Sequence, residues 1–158
     1  MKADKRVFVG ALAGVVLLIT PFIQGFEGRH LNAYLDPVGI ATICDGETEG
    51  VFLGQVKTHQ ECDEMTQARV LEFARIVEKE VRVPISVEIH AALTSFIYNV
   101  GEGNFTRSTL LRKLNNGDYA GACNELPKWV YAKGVRLRGL ERRREAERQL
   151  CLQGISTL

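Results

Sequence analysis

Apolar residues run from Val7 to Ile23, a stretch of 17 positions interrupted only by Gly10, Gly14, Thr20 and Pro21. At about 1.5 Å of rise per residue, a helix of that length reaches roughly 26 Å. That is a little less than the ~30 Å hydrocarbon core of a bilayer. Lys2, Lys5 and Arg6 precede the run, and basic residues stay on the cytoplasmic side, so everything beyond Ile23 is sent across the membrane. The segment therefore reads as a weak transmembrane anchor, able to insert and poorly held. A cleavable signal peptide needs small residues at its cut site, and the stretch Thr20 to Gly25 offers a poor one. The alternative is an N-terminal helix buried in a soluble core.

Beyond the run, Gly39, Gly46, Gly50 and Gly54 punctuate two short apolar pieces, Ile40–Ile43 and Val51–Leu53. This predicts a small β-hairpin or three-stranded sheet. The remainder has helical periodicity. Thr58 with Glu61 forms a capping box for a long helix reaching about Val81, and Pro84 ends it. Ser86 caps a second helix, Val87–Val100, whose inward stripe is Ala91, Ala92, Phe96 and Val100, widened by Leu93 and Ile97. Gly101 stops it. A short helix follows at Ser108–Leu114, and another after Asp118 that ends before Pro127. The last helix spans about Leu140–Leu152, with Gly154 just past its end. The fold class is α+β: a small β-hairpin lobe and a mainly helical lobe joined by a long helix. A cleft between the lobes is the natural site for a polymer. Residues 1–25 form the anchor segment and residues 26–158 a single domain.

Composition refines this little. The chain has 158 residues, 46% hydrophobic and 25% charged, as an ordinary globular domain does. Its net charge of +1 hides an asymmetry, because Lys128–Arg148 holds eight basic residues against Glu141, Glu145 and Glu147. Such a run is a solvated helix face or an attraction to an anionic polymer such as cell wall. No nucleic-acid-binding motif accompanies it, so no nucleic acid partner is expected. Cys44, Cys62, Cys123 and Cys151 all follow the apolar run. In an exported body they make two disulfides, by any of three pairings. No Cys-x-x-Cys or His-x-x-x-His pair exists, and His30, His59 and His90 are scattered, so neither metal nor cofactor is expected.

The candidate chemistry begins four residues after Ile23. Glu27, Asp36 and Thr42 follow the spacing Glu-x8-Asp-x5-Thr. Glycoside hydrolysis needs one carboxyl group that protonates the leaving oxygen and one that stays ionised across the sugar. Glu27, at a helix-to-sheet junction, suits the acid. Asp36 and Thr42, brought together by a tight turn, could hold the attacking water in inverting geometry. The plainer reading makes Glu27 a helix-end charge, Asp36 a turn former before Pro37, and Thr42 a strand residue.

Together with that trio, Tyr98–Phe105 (YNVGEGNF), Ser108–Lys113 (STLLRK) and Gly139–Glu145 (GLERRRE) make the chain resemble the phage-type lysozymes of glycoside hydrolase family twenty-four. The likeness covers roughly Glu27–Gly154. It is nearest to members with four cysteines at these positions and an N-terminal signal-arrest-release segment. The resemblance implies a lysozyme-like fold and a muramidase, cutting the β-1,4 bond between N-acetylmuramic acid and N-acetylglucosamine in peptidoglycan. It implies Glu27 as general acid, Asp36 with Thr42 as the water-positioning pair, and Arg143 as the partner of the acid. Leu53, Tyr98 and Ser108 fall where the family contacts saccharide, with core or capping roles as the alternative. It implies the disulfides Cys44–Cys62 and Cys123–Cys151. Asp45 and Glu47 depart from the family, standing near positions where relatives often carry histidine, as two extra acids beside the cleft.

No cysteine lies in the apolar segment, so thiol exchange with the anchor cannot control this chain. The remaining control is topological. While residues 7–23 span the inner membrane, Glu27 is held within about 6 Å of the span's end and cannot dock. Release frees the segment, and Gly10, Ala11, Ala13 and Gly14 make it small enough to repack on the body. The expected location is the membrane face toward the periplasm, then the periplasm itself, as a monomer. Competing classes are a non-enzymatic wall-binding module, a holin-like membrane protein, and a lytic transglycosylase, which would need the Glu without the Asp and Thr.

Overall fold

The computed structural model describes residues 5–158, with side chains from Leu12 onward. Helix α1 (Lys5–Glu27) carries the apolar run. Val15, Ile19 and Ile23 recur at helical spacing and are wholly buried, against Val70 and Ala74 of helix α2 (His59–Glu80) and Ala91 of helix α3 (Val87–Val100). A Cβ at Gly14 would lie 3.8 Å from Val87 Cγ1, an ordinary van der Waals distance, so α1 passes close to the start of α3 with space for a methyl group. Of the small residues expected to permit repacking, Gly10 and Ala11 lie outside the described side chains, as does the basic start. Pro21 sits inside α1, where it removes one helical hydrogen bond. Among the described residues no helix is long and apolar enough to cross a membrane. In this structure the expected anchor is a core helix.

Strands β1 (His30–Leu35) and β2 (Ala41–Cys44) form an antiparallel hairpin, with Tyr34 opposite Thr42 and an irregularity between His30 and Tyr34. Val51–Leu53 is not a strand. Gly50 and Gly54 both adopt positive φ and turn the chain around it. The third position in the sheet falls to Val56, which bridges Asn32, flanked by hydrogen bonds from Ala33 N to Gln55 O and from Lys57 N to Leu31 O.

The capping box at Thr58 and Glu61 opens α2, and Ser86 caps α3 through Ile89 N. Helix α3 is buried from Ile89 through Ile97, a wider surface than the expected stripe, whereas Val100 is half-buried. The cause is position: α3 packs against α1, α2 and α7 (Arg138–Ile155) and is enclosed on all sides. A short helix α4 (Glu102–Thr106), unanticipated, precedes α5 (Thr109–Asn115) and α6 (Tyr119–Cys123). A second small hairpin, β3 (Tyr131–Ala132) and β4 (Val135–Arg136), leads into α7. That last helix does not stop before Gly154 but runs through it. A Cβ there would collide with Ser86 Oγ and come within 2.9 Å of Ile89 N, so the glycine lets α7 approach the start of α3. Both disulfides implied by the resemblance are present: Cys44–Cys62 ties the hairpin to α2, and Cys123–Cys151 ties α6 to α7.

Candidate active site

Glu27 is the last residue of α1, and its side chain keeps 21% exposure. Arg143 comes to it from α7 and is itself almost fully buried. The guanidinium is held on every edge. Nη1 donates to Glu27 Oε1, Nη2 to Ser95 O at 3.2 Å, and Nε to Glu147 Oε1 at 3.3 Å. The Phe26 ring lies beneath it, 5.8 Å from ring centre to Cζ. Behind Arg143, Glu147 is wholly buried and accepts from Ser95 Oγ at 2.7 Å and from Arg144 Nη2 at 3.0 Å. Arg144 Nε stands 2.8 Å from Glu147 Oε2, close enough for charge pairing but not aligned as a hydrogen bond. Burial pushes the Glu147 carboxyl up and the Arg144 guanidinium down, against the attraction between them.

On its other side the Glu27 carboxylate meets the turn after β2. A Cβ at Gly46 would sit 3.1 Å from Glu27 Oε2, and the residue's φ of 92° also favours glycine. Tyr98 supports this turn from α3, its hydroxyl donating to Asp45 O at 2.8 Å. Burial, with the negative charge of Glu27, Asp45 and Glu47 nearby, pushes the Tyr98 phenol well up.

Asp45 and Glu47 are not free acids beside the cleft, which corrects that expectation. Asp45 is buried, paired with Arg29 Nη2 at 2.7 Å and bonded by Thr66 Oγ1 at 2.6 Å. Glu47 is paired with Arg69 Nη2 at 2.8 Å. Burial alone would raise both carboxyls, but the arginine pairs outweigh it and hold both below their ordinary values.

Asp36 and Thr42 are gathered at one residue of the hairpin tip. Asp36 Oδ1 accepts from Ile40 N at 2.8 Å and Val38 N at 2.9 Å, an Asx turn. Thr42 Oγ1 donates to Ile40 O at 3.0 Å. The structure thus joins Glu27 with Arg143 and Asp36 with Thr42. Among the described residues no hydrogen bond or ion pair links the two pairs. Leu53 is exposed on the loop between Gly50 and Gly54. Ser108 is buried, and its hydroxyl is committed: it caps α5 through Leu111 N and donates to Phe105 O. It lines a separate depression with Arg82, Arg107 and Arg112.

A cavity of about 580 Å³ opens beside the acid, lined by Glu27, Asn99, Leu137, Leu140, Arg142 and Arg143. Sequence reasoning passed over Asn99, Gly46, Ser95 and Glu147. Of these Glu147 had a signal, one helical turn after Arg143 on the same face. Among the described residues no group of three or more His, Cys, Asp or Glu side chains is placed to hold a metal ion.

Residues 24–147 match the family model described as Phage lysozyme, a span that starts just before Glu27 and ends at Glu147. The chain belongs to the phage lysozyme family. This phage lysozyme is 43% identical over 148 residues to the SAR-endolysin of Enterobacteria phage P21, covering 92% of this chain and 90% of that one. It resembles the active form of P1 phage endolysin Lyz with a TM-score of 0.76 and 28% identity, covering 97% of this chain and 96% of that one. To the secreted inactive form of P1 Lyz the TM-score is 0.52, at 30% identity, over 68% of this chain and 76% of that one.

Proposed function

We propose that this phage lysozyme is a signal-arrest-release endolysin. It is a muramidase that hydrolyses the β-1,4 bond between N-acetylmuramic acid and N-acetylglucosamine, and so lyses the host through its peptidoglycan. Residues 1–25 tether it to the inner membrane, and residues 26–158 form the catalytic domain. One observation carries the reading: Glu27 reaches the buried Arg143 and the Gly46 turn only because α1, the apolar segment itself, is docked on the body. While that segment is in a bilayer, the acid is absent from its seat. The likeness to the active P1 form over nearly the whole chain supports taking the docked state as the active one.

In this reading Glu27 protonates the leaving oxygen. Asp36 and Thr42 hold the attacking water on the opposite face of the sugar. The two amides on Asp36 Oδ1 fix the plane of the carboxylate. Thr42 Oγ1 spends its own proton on Ile40 O, leaving its lone pairs for a water proton. A water whose protons point at Asp36 and Thr42 presents a lone pair to the anomeric carbon, and the product is inverted. Arg143 orients the acid. Leu53 is open to saccharide, Tyr98 braces the turn under the acid, and Ser108 holds the turn between α4 and α5. The enzyme faces the periplasm while tethered, is soluble there once released, and acts as a monomer on peptidoglycan.

Glu27→Gln is expected to lower murein hydrolysis by at least about 10²-fold, the scale of general-acid catalysis. Wild-type products are expected to carry reducing muramic ends. Anhydro-muramic ends would assign a lytic transglycosylase instead. Fractionation before and after an uncoupler tests the tether: activity moving from membrane to soluble fraction is expected, and equal activity in both fractions throughout overturns it.

A further inference from the structure

We propose that Glu147 is a positioning residue for the catalytic acid. Its buried carboxylate fixes where the Arg143 guanidinium points and how much positive charge Glu27 meets. This rests on the reading of Glu27 as the acid.

Two of the three anchoring partners of Arg143, Ser95 O and Glu147 Oε1, belong to α3 and α7. Neither belongs to α1. Two edges of the guanidinium are therefore anchored independently of α1, which adds Glu27 and the Phe26 ring when it docks. The four groups alternate acid and base, Glu27, Arg143, Glu147, Arg144, each within ion-pair distance of the next. Arg143 is shared between two carboxylates, so Glu147 draws part of its charge away from the acid. Burial makes that sharing effective, since Arg143, Arg144 and Glu147 are 3%, 0% and 0% exposed and water screens none of them. Ser95 Oγ keeps Glu147 in place from α3. Arg144, stacked 5.1 Å over Phe96, neutralises its other oxygen.

The other groups facing the acid leave this assignment intact. Tyr98 on α3 is turned toward Asp45 O. Asp45 and Glu47, in the turn after β2, are matched by Arg29 and Arg69. Arg142 and Arg138 line the open cavity, where solvent reaches them.

Glu147→Gln preserves the shape and removes the charge. Arg143 then gives all of its positive charge to Glu27, and Arg144 adds a second uncompensated one. Both effects favour the ionised acid. The alkaline limb of the kcat/KM profile on murein is expected to move to lower pH by about 1 unit, the low end of a neighbouring-charge effect. A residue that only fills space would lower activity equally at all pH and leave the limb where it was. An unmoved limb in folded Glu147→Gln overturns the proposal. If that variant does not fold, Ser95→Ala decides. It removes one donor from Glu147 and makes its charge harder to keep, so a smaller shift in the same direction is expected, and none overturns the proposal. Glu27→Gln run alongside separates the two readings. Activity retained there refutes the acid assignment, whereas a dead Glu27→Gln beside an unmoved limb refutes only the role of Glu147.

Discussion

His90 is enclosed between α2 and α3, where its Nε2–H donates to Ala74 O at 2.9 Å. Burial lowers its pKa below the ordinary value, and the single hydrogen bond recovers only part. Below about pH 6.5 the unfolded chain takes up a proton at this residue that the folded chain refuses, so stability falls as pH drops toward the lowered folded value. Denaturant midpoints measured from pH 7 to 5 should decline for the wild type. They should decline less for His90→Gln, whose amide can still reach Ala74 O; equal slopes would show that His90 carries none of the effect. A single residue was most legible in the sequence when its role depended on near neighbours. Glu27, Asp36 and Thr42 stood out by spacing, and Thr58 and Ser86 by their caps. Asp45 and Glu47 lie in the turn beside the acid, but their pairing was not legible because Arg29 and Arg69, 16 and 22 residues away, bring the charges that match them.

Elements were legible where their signals are local. The starts of α2 and α3 carry the side-chain caps expected at Thr58 and Ser86, and Ser108 and Asp118 cap α5 and α6 in the same way. Val51–Leu53 had strand composition but lay between two glycines whose conformation turns the chain, and β3 and β4 are two residues each, too short to show a period. Gly154 is the informative miss. A glycine near a helix end ordinarily signals a stop, yet here it is a contact between α7 and α3. Gly154→Ala should gain ~1 kcal/mol of helix propensity and lose more by driving a methyl group against Ser86 Oγ and the backbone of Ile89. Because Ile89 N cannot swing aside as a side chain can, a net loss of about 1–3 kcal/mol is expected, the scale of overpacking. Thermal unfolding decides it, and a stabilised variant would show that the helices have room to separate.

For the whole molecule, the same segment must satisfy two environments. In the docked state Val15, Ile19 and Ile23 face the core, while Leu17 on the opposite side is 77% exposed. A soluble helix gains little from a leucine there. A membrane helix gains from apolar side chains all round. The exposed Leu17 is thus accounted for by the tethered state of the proposed function, and the buried stripe by the released one. Because the two states use different faces, they can be perturbed separately. Leu17→Lys adds a cost of roughly 2.5–3.5 kcal/mol to the membrane state, the price of a central charge in a helix span. It leaves the docked face untouched. The melting temperature and kcat/KM of the purified enzyme should match the wild type. The share of protein released to the periplasm should rise, and lysis should come earlier. Ile19→Ala is the counterpart: it removes a wholly buried side chain from the docked state and should cost about 2–4 kcal/mol of stability there. If Leu17→Lys leaves the periplasmic fraction and lysis time unchanged, the outer face of α1 has no part in holding the enzyme back, and arrest must depend on residues before it.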